Sequence, residues 1–220
     1  MSTKERTEPG LLDIGDDTPV VALPRRTVDK LLVGTGIVAT VVFLIAGALL
    51  SWGAGFSNDY VRDELSVQQI FFPPEEALRE EGRDDLVKFA GQQVTTGEHA
   101  EAYASFIEGH IEAMADGMRY AEFGQVETAA REAVAAAEEA GASEAEIAEL
   151  QEEATAATRT RDSLFKGETL RGLLLSSYAW HTIGRIAGIA ATAAFVAAFA
   201  MAILVILGIV QLAKGDKPRT

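Results

Sequence analysis

Histidines are the side chains of this sequence best suited to metal binding or proton transfer, and they occur at His99, His110 and His181. His99 and His110 are eleven residues apart, which places them on one face of a helix but about 16 Å apart along its axis. A zinc ion binds nitrogen at about 2 Å, so one ion cannot bridge both within a helix. Either histidine could still join carboxylates from another helix, but His110 on an apolar face is typical of a core histidine.

His181 and Arg185 stand just before a long uncharged run, and they raise the question of an ionisable path through a membrane. Counting about 20 residues back from Lys214 puts the outer boundary of a bilayer core near Ala194. Arg185 then lies about 13 Å further out, and His181 higher still. We therefore expect both to be interfacial or to lie at the base of a domain, and not to form a proton path.

Pairs of carboxylates occur at helical spacing, as in Glu108 with Glu112 and Glu98 with Glu101. Such pairs carry out acid–base chemistry only when burial drives their pKa values apart, and a solvated acidic face is the simpler interpretation. The sequence contains no phosphate-binding glycine loop, no nucleophile elbow and no HExxH motif. It predicts no catalytic residues, no cofactor and no defined metal site.

Two long uncharged runs determine the fold class. No charged residue or histidine occurs at 31–58 or at 186–213, and each run exceeds the roughly 20 residues that cross a bilayer core. The sequence therefore predicts transmembrane helices at 31–53 and 186–213. The first run is too long for a signal-peptide core, which favours an uncleaved anchor.

The segment between the runs is strongly acidic. Residues 54–185 contain 26 acidic and 11 basic residues, whereas the whole chain has a formal net charge of −14. This charge would repel the phosphates of nucleic acid, so no nucleic-acid partner is expected. The chain has no cysteine, which excludes disulfides and thiolate chemistry but decides nothing about compartment.

Basic residues near the runs predict the orientation. Six Lys and Arg residues flank the two terminal sides and four flank the middle segment, which favours both termini in the cytoplasm. The predicted organisation is an all-α protein: a disordered cytoplasmic tail (1–30), the first span (31–53), an extracytoplasmic helical domain (54–185), the second span (186–213) and a cytoplasmic C-terminal tail (214–220). The expected location is the cell membrane.

Within the domain, "FFPPEEALREEG" predicts a helix with proline at its start and acids in its first turn. The stretch 96–123 has a 3.6-residue apolar period, typical of an amphipathic helix. Glu127–Ala140 is a second helix, Gly141 ends it, and Ser143 with Glu146 caps the next, which together predict an αα-hairpin. The following helix should continue almost unbroken into the second span, with local adjustment near Gly167 and Gly172.

Small residues at helical spacing are candidate contact points between helices. Gly47 and Ser51 share a face of the first span, and Gly184 and Gly188 form a small-xxx-small pair in the second. This pattern fits packing within the chain as well as dimerisation. Glu168 and Arg171, three residues apart, are expected to pair with each other on the helix surface.

Three stretches, "DELSVQQIFFPP", "FAGQQVTTGEHAEAYASFIEGHI…GMRYAEF" and "LFKGETLRGLLLSSYAW", resemble a family of actinobacterial two-span membrane proteins of unknown function. The resemblance covers most of residues 29–210 and is weakest at 127–157. Some relatives carry the label aromatic ring-opening dioxygenase, which these residues do not support, since non-haem iron needs two histidines and a carboxylate that converge. The family signature implies structural roles for Gln92, Gln93, Gly97, Tyr120, Gly167, Glu168 and Arg171.

The expected function is that of a non-enzymatic integral membrane protein that displays a helical extracytoplasmic domain. It would serve as an accessory, scaffold or assembly subunit of an envelope complex, with the lipid bilayer and either another membrane protein or a second copy as partners. The alternative is a membrane-tethered metal-binding protein or metalloenzyme that uses His99 or His110 with carboxylates. A small transporter would need several copies, because no interior charge occurs in the two spans.

Overall fold

The computed structural model describes residues 24–214, and every regular element in that range is helical. The elements are α1 (Arg25–Val67), α2 (Glu75–Glu80), a 3₁₀ helix (Asp84–Phe89), α3 (Gly97–Met114), α4 (Tyr120–Glu139) and α5 (Glu144–Lys214). Phe71 and Gln93 form an isolated antiparallel bridge, and the described residues contain no strand. The all-α prediction is confirmed, whereas most of the two predicted tails lies outside the described residues.

The chain divides into two compact units. One consists of the described residues 24–41 and 199–214, and the other of Val42–Ala198. These units divide after residues 41 and 198, and not at the predicted domain limits of 54 and 185. All four positions lie inside helices, because α1 continues to Val67 and α5 begins at Glu144. The helices that form the predicted spans therefore also build the domain.

In the first unit, glycine allows the two helices to approach closely. A Cβ placed on Gly36 would lie 2.7 Å from Cγ2 of Val205, and one placed on Gly208 would lie 2.7 Å from Cγ2 of Val33. Neither distance leaves room for a methyl group. At these two positions the backbone of one helix packs against a branched side chain of the other, a close approach that is common between membrane helices.

Two helices of the described chain, α1 and α5, are long and apolar enough to cross a membrane. Their most apolar 18-residue windows have mean hydropathies of 2.4 and 2.9, and only 11% and 6% of these windows are buried. Exposed side chains include Leu49, Val196 and Phe199, at 64%, 63% and 70%. Such helices differ from the core helices of a globular protein, whose apolar stripe is covered.

The predicted short helix after the two prolines is confirmed as α2, with Pro74 at its N-cap and two glutamates in its first turn. The amphipathic stretch 96–123 is not one helix. Thr96 starts α3 by accepting a hydrogen bond from the His99 N–H at 3.2 Å, but the helix ends at Met114. Asp116 and Gly117 have φ values of 52° and 80°, a left-handed conformation that stops an α-helix.

Where the sequence predicts an αα-hairpin, the structure has α4, a short turn and the start of α5. Gly141, with φ of 68°, follows the end of α4, and the Ser143 hydroxyl accepts the Glu146 N–H at 3.3 Å to cap α5. The Arg161 guanidinium donates to Glu127 across the hairpin at 2.7 Å. From this turn α5 runs unbroken to Lys214, so neither Gly167 nor Gly172 interrupts it.

Two buried clusters form the core of the unit Val42–Ala198. The larger joins the end of α1, the segment 70–94, α3 and Leu174 of α5, and it includes the fully buried Leu78 and Val94. The smaller joins α3, α4 and α5 around the fully buried Leu164. Burying a side chain of this size stabilises a fold by about 1.5–3 kcal/mol. Because both clusters include residues of α5, both attach other elements of the domain to this helix.

Gly167 and Gly172 give a matched test of this packing, because both lie in α5 in different surroundings. A Cβ on Gly167 would collide with Ile111 of α3, whereas a Cβ on Gly172 would meet nothing within 4 Å. We expect Gly172→Ala to be neutral or to stabilise by up to about 1 kcal/mol through helix propensity. Gly167→Ala should destabilise by roughly 1–3 kcal/mol through overpacking, measured by thermal or denaturant unfolding. Equal effects of the two substitutions would contradict the contact.

Candidate functional site

Three of the four small residues predicted as contact points lie where α1 and α5 meet in the unit Val42–Ala198. A Cβ on Gly47 would lie 2.8 Å from the Phe195 ring, one on Gly184 would lie 3.0 Å from Cβ of Ser57, and Gly188 faces the Cβ of Ala54 at 3.8 Å. Ser51 is exposed and does not take part in this contact within the chain. The face of α1 that meets α5 passes through positions 47, 54 and 57. At about 100° per residue, positions 54 and 57 lie to one side of position 47, and position 51 lies to the other side.

The same meeting point holds His181. Its Nδ1 lies 3.0 Å from Oδ1 of Asn58 on α1, and its side chain packs directly against Gly97 at the start of α3. Next to it, the Ser57 hydroxyl donates to the Trp180 carbonyl oxygen at 2.5 Å. His181 thus joins α5 to α1 and α3, while Arg185 one turn further is exposed.

Glu168 and Arg171 contact other elements and not each other, so the predicted surface pair is wrong. The Glu168 carboxylate accepts the N–H of Tyr120, the first residue of α4, at 3.1 Å. Arg171 donates to Glu108 of α3 at 2.8 Å, and Arg119 reaches the same Glu108 oxygen at 2.9 Å. A carboxylate at a helix N-terminus is favourable because the first amide groups lack partners. These residues therefore fix α3 and α4 against α5.

A second charged cluster joins α4 to α5. Glu127 is 6% exposed, and it accepts hydrogen bonds from Arg161 at 2.7 Å, Arg131 at 2.6 Å and the Thr158 hydroxyl at 2.9 Å. The Arg161 guanidinium also stacks over the Tyr120 ring at 4.6 Å. The hydrogen bond from Arg161, and then that from Thr158, holds the pKa of Glu127 below its usual value. This carboxylate therefore favours its ionised form, and both of its oxygens accept hydrogen bonds.

The two other histidines have different surroundings. Nδ1 of His99 lies 3.0 Å from the Gln93 carbonyl, and its ring packs edge-on against Phe72 and Phe89. His110 is exposed rather than buried in the core as predicted, because α3 turns it outward, and its Nε2 lies 3.6 Å from Glu81. Among the described residues, no three or more His, Asp or Glu side chains converge on a possible metal position.

The residues that carry the resemblance have mixed surroundings. The Gln93 side chain donates to the Ser66 carbonyl oxygen in the last turn of α1 at 2.8 Å. Gln92 is exposed and donates to the Lys88 carbonyl oxygen, four residues away, at 2.8 Å. Gly97 and Gly167 accept close neighbours, as described above.

An open cavity of about 680 Å³ lies beside these contacts, and we call it the apolar groove. Its polar or phenolic lining consists of Tyr60, Glu64, Gln68, Tyr103, Ser176 and Ser177. Its apolar lining consists of Val61, Leu65, Ile70, Ile107, Leu170, Leu173, Leu174 and Trp180. The size and the mixture of many apolar with few polar groups are typical of small-molecule sites.

Sequence reasoning missed this groove. Its walls come from α1, α3 and α5, which are far apart in the chain, and no local spacing brings them together. A usable signal in the sequence was the group of apolar residues outside the uncharged segments, such as Leu170 and Leu173. In the structure these two leucines are exposed by 49% and 63%. Exposed leucines in an otherwise charged helix point to a covered or binding surface when they cluster.

The charged clusters predict that the domain loses stability in acid. The hydrogen bond from Arg119, followed by the charge of Arg171, holds the pKa of Glu108 below its usual value, as Arg161 does for Glu127. A carboxyl group with a lowered folded-state pKa stabilises the fold above its unfolded pKa of about 4.5. That contribution is lost as the pH falls through the folded-state value. We expect the unfolding temperature to fall from pH 7 to pH 3, and to fall less in Glu127→Gln, which already lacks this contribution.

Glu153→Gln is the matched control, because Glu153 is an exposed glutamate on α5. It should keep the pH dependence of the parent chain, with unfolding followed by circular dichroism. If Glu127→Gln and Glu153→Gln change the pH dependence equally, the Glu127 cluster does not have the role described here.

No protein-family model, curated protein or solved structure matches this chain. The resemblance to actinobacterial two-span membrane proteins therefore stays an expectation. Three features of the chain bear on its function: the exposed apolar helices, the clusters that fix the domain on α5, and the apolar groove.

Proposed function

We propose that this protein is a non-enzymatic integral membrane protein in which α1 and α5 cross the cell membrane as an antiparallel hairpin. The observation that carries the proposal is the exposure of their large apolar side chains, with only 11% and 6% of the most apolar windows buried. Leaving such surface in water costs about 25 cal/mol per Å². A bilayer removes this cost, and a helix satisfies its own backbone hydrogen bonds there.

The proposed orientation has both termini in the cytoplasm and the helical domain outside. It is supported by the basic residues that flank the uncharged runs on the terminal sides: Arg25, Arg26, Lys30, Lys214, Lys217 and Arg219. The acidic segment 54–185 would then face the extracytoplasmic space, where its net charge keeps it solvated.

The domain is proposed to act by binding and not by catalysis. Three carboxylates with lowered pKa values, Asp85, Glu108 and Glu127, are engaged by arginines. The ion pairs of Glu108 and Glu127 position helices. An accessory, scaffold or assembly role in an envelope complex follows, with another membrane protein or a second copy as partner. The same proposal places the chain with actinobacterial two-span membrane proteins, and it is supported by the structural positions of the signature residues.

Single cysteines test the membrane placement, because the natural chain has none. Ala145→Cys reports on the domain, where position 145 is exposed, and Ser2→Cys and Thr220→Cys report on the termini. A membrane-impermeant maleimide applied to intact cells stripped of their wall should label Ala145→Cys. The two terminal variants should be labelled only after the membrane is permeabilised.

Leu204→Cys is the control for burial in lipid. Leu204 is 61% exposed in the structure, so a helix in water would be labelled there, whereas a helix in a bilayer resists a polar reagent under both conditions. Labelling of Leu204→Cys in sealed membranes would contradict the span. Labelling of the termini but not of Ala145→Cys on intact cells would reverse the orientation.

A further inference from the structure

The apolar groove lies immediately beyond the uncharged part of α1, and an exposed row of aromatic rings leads to it. Trp52, Phe56 and Tyr60, which we call the aromatic ladder, are spaced four residues apart and are 71%, 56% and 48% exposed. Their ring centroids are 5.8 Å and 6.2 Å apart in stacked pairs. Trp52 lies within the uncharged run and Tyr60 lines the groove, so the apolar surface is continuous between them.

The volume of the groove sets the size of an occupant. A methylene group takes up about as much space as a water molecule in the liquid, roughly 30 Å³. A cavity of about 680 Å³ therefore has room for a long hydrocarbon chain. Buried leucines form one wall, since Leu65 and Leu174 are each 5% exposed, and Leu173 and Trp180 form an exposed edge.

The charge of the groove sets the nature of the polar end. Among the described residues that line it, Glu64 is the only charged one, and it is exposed at the rim. A carboxylate repels a phosphate group and attracts hydroxyl or ammonium groups. Gln68, Ser176 and Ser177 supply further hydrogen-bonding groups. Burial raises the pKa of the Tyr103 phenol, which therefore stays protonated as a donor.

We propose that the apolar groove binds a single-chain lipid whose polar end carries hydroxyl groups and no negative charge, taken from the bilayer along the aromatic ladder. This inference rests on the proposed membrane placement of α1 and α5. It assigns to the domain a ligand class, a neutral single-chain amphiphile such as a monoacylglycerol, that the accessory role alone does not require. The hydrocarbon chain lies between α1, α3 and α5, and the hydroxyl groups face Glu64 and the serines.

Photolabelling of the full chain in phosphatidylcholine nanodiscs tests the site. The probe is a monoacylglycerol with a diazirine near the end of its chain, and the comparison probe is a lysophosphatidic acid with the same chain. Peptide mass spectrometry should locate monoacylglycerol adducts on groove residues, with a clear excess over the phosphate probe. Glu64→Lys should remove or reverse this preference, because it exchanges a repelling charge for an attracting one.

Two substitutions change the groove by different means. Leu173→Asp places a carboxylate against the hydrocarbon chain, which should reduce labelling by about tenfold or more through the cost of burying a charge. Ser177→Trp should reduce it by filling space, without adding charge. Ile183→Asp is the control, because Ile183 is a similarly exposed residue of α5, at 56% against 63% for Leu173, that does not line the groove. Ile183→Asp should keep the labelling of the parent chain. Circular dichroism checks that each variant is folded.

Three results would overturn the proposal. Adducts confined to residues 31–58 and 186–213 would show general contact with lipid. Equal labelling by both probes, unchanged in Glu64→Lys, would remove the selectivity. Efficient disulfide formation between two copies of Ser177→Cys in the same nanodiscs would show that a second chain occupies the groove. Failure of the chain to enter nanodiscs would contradict the proposed function itself, whereas entry without groove labelling would contradict only the lipid site.

Discussion

The close approach of α1 and α5 is the contact on which the unit Val42–Ala198 depends. It requires glycine at positions 47 and 184, where a Cβ would meet Phe195 or Ser57 at 3.0 Å or less. Once the helices are this close, the Ser57 hydroxyl reaches the Trp180 carbonyl and Asn58 reaches His181. Both hydrogen bonds are partly buried, and Ser57 is 2% exposed, so fewer water molecules compete for the groups than in bulk solvent.

The remaining elements of this unit contact this pair of helices directly or through one another. His181 packs on Gly97 and sets the start of α3, while the larger cluster fills the space between α1, α3 and Leu174. Glu108, Arg119 and Arg171 then fix the far part of α3, and Glu168 holds the first amide of α4. The apolar groove is what this arrangement leaves uncovered on one side of α1 and α5.

Local patterns in the sequence predicted what depends on local physics. Proline with two glutamates, Gly141 and Ser143 marked helix ends correctly, because capping involves residues only a few positions apart. The helix break after Met114 was missed, since the apolar period continues through Asp116 and Gly117 and hides the turn. Glu168 and Arg171 were paired by their spacing, but their actual partners, Tyr120 and Glu108, lie 48 and 63 positions away. Partners of that kind, and the groove, become visible only after folding.

A disulfide between the two helices tests whether α1 and α5 of one chain pack side by side near the uncharged segments. The Cβ of Ala54 and a Cβ built on Gly188 would be 3.8 Å apart, the average separation across a disulfide. In the cysteine-free chain, Ala54→Cys with Gly188→Cys should form a bond on mild oxidation. Proteolysis at the turn 140–143 should then give fragments that separate only after reduction. Ser51→Cys with Gly188→Cys should not crosslink efficiently. If only bonds between two chains form, or if the Ser51 pair reacts equally well, the packing described here is wrong.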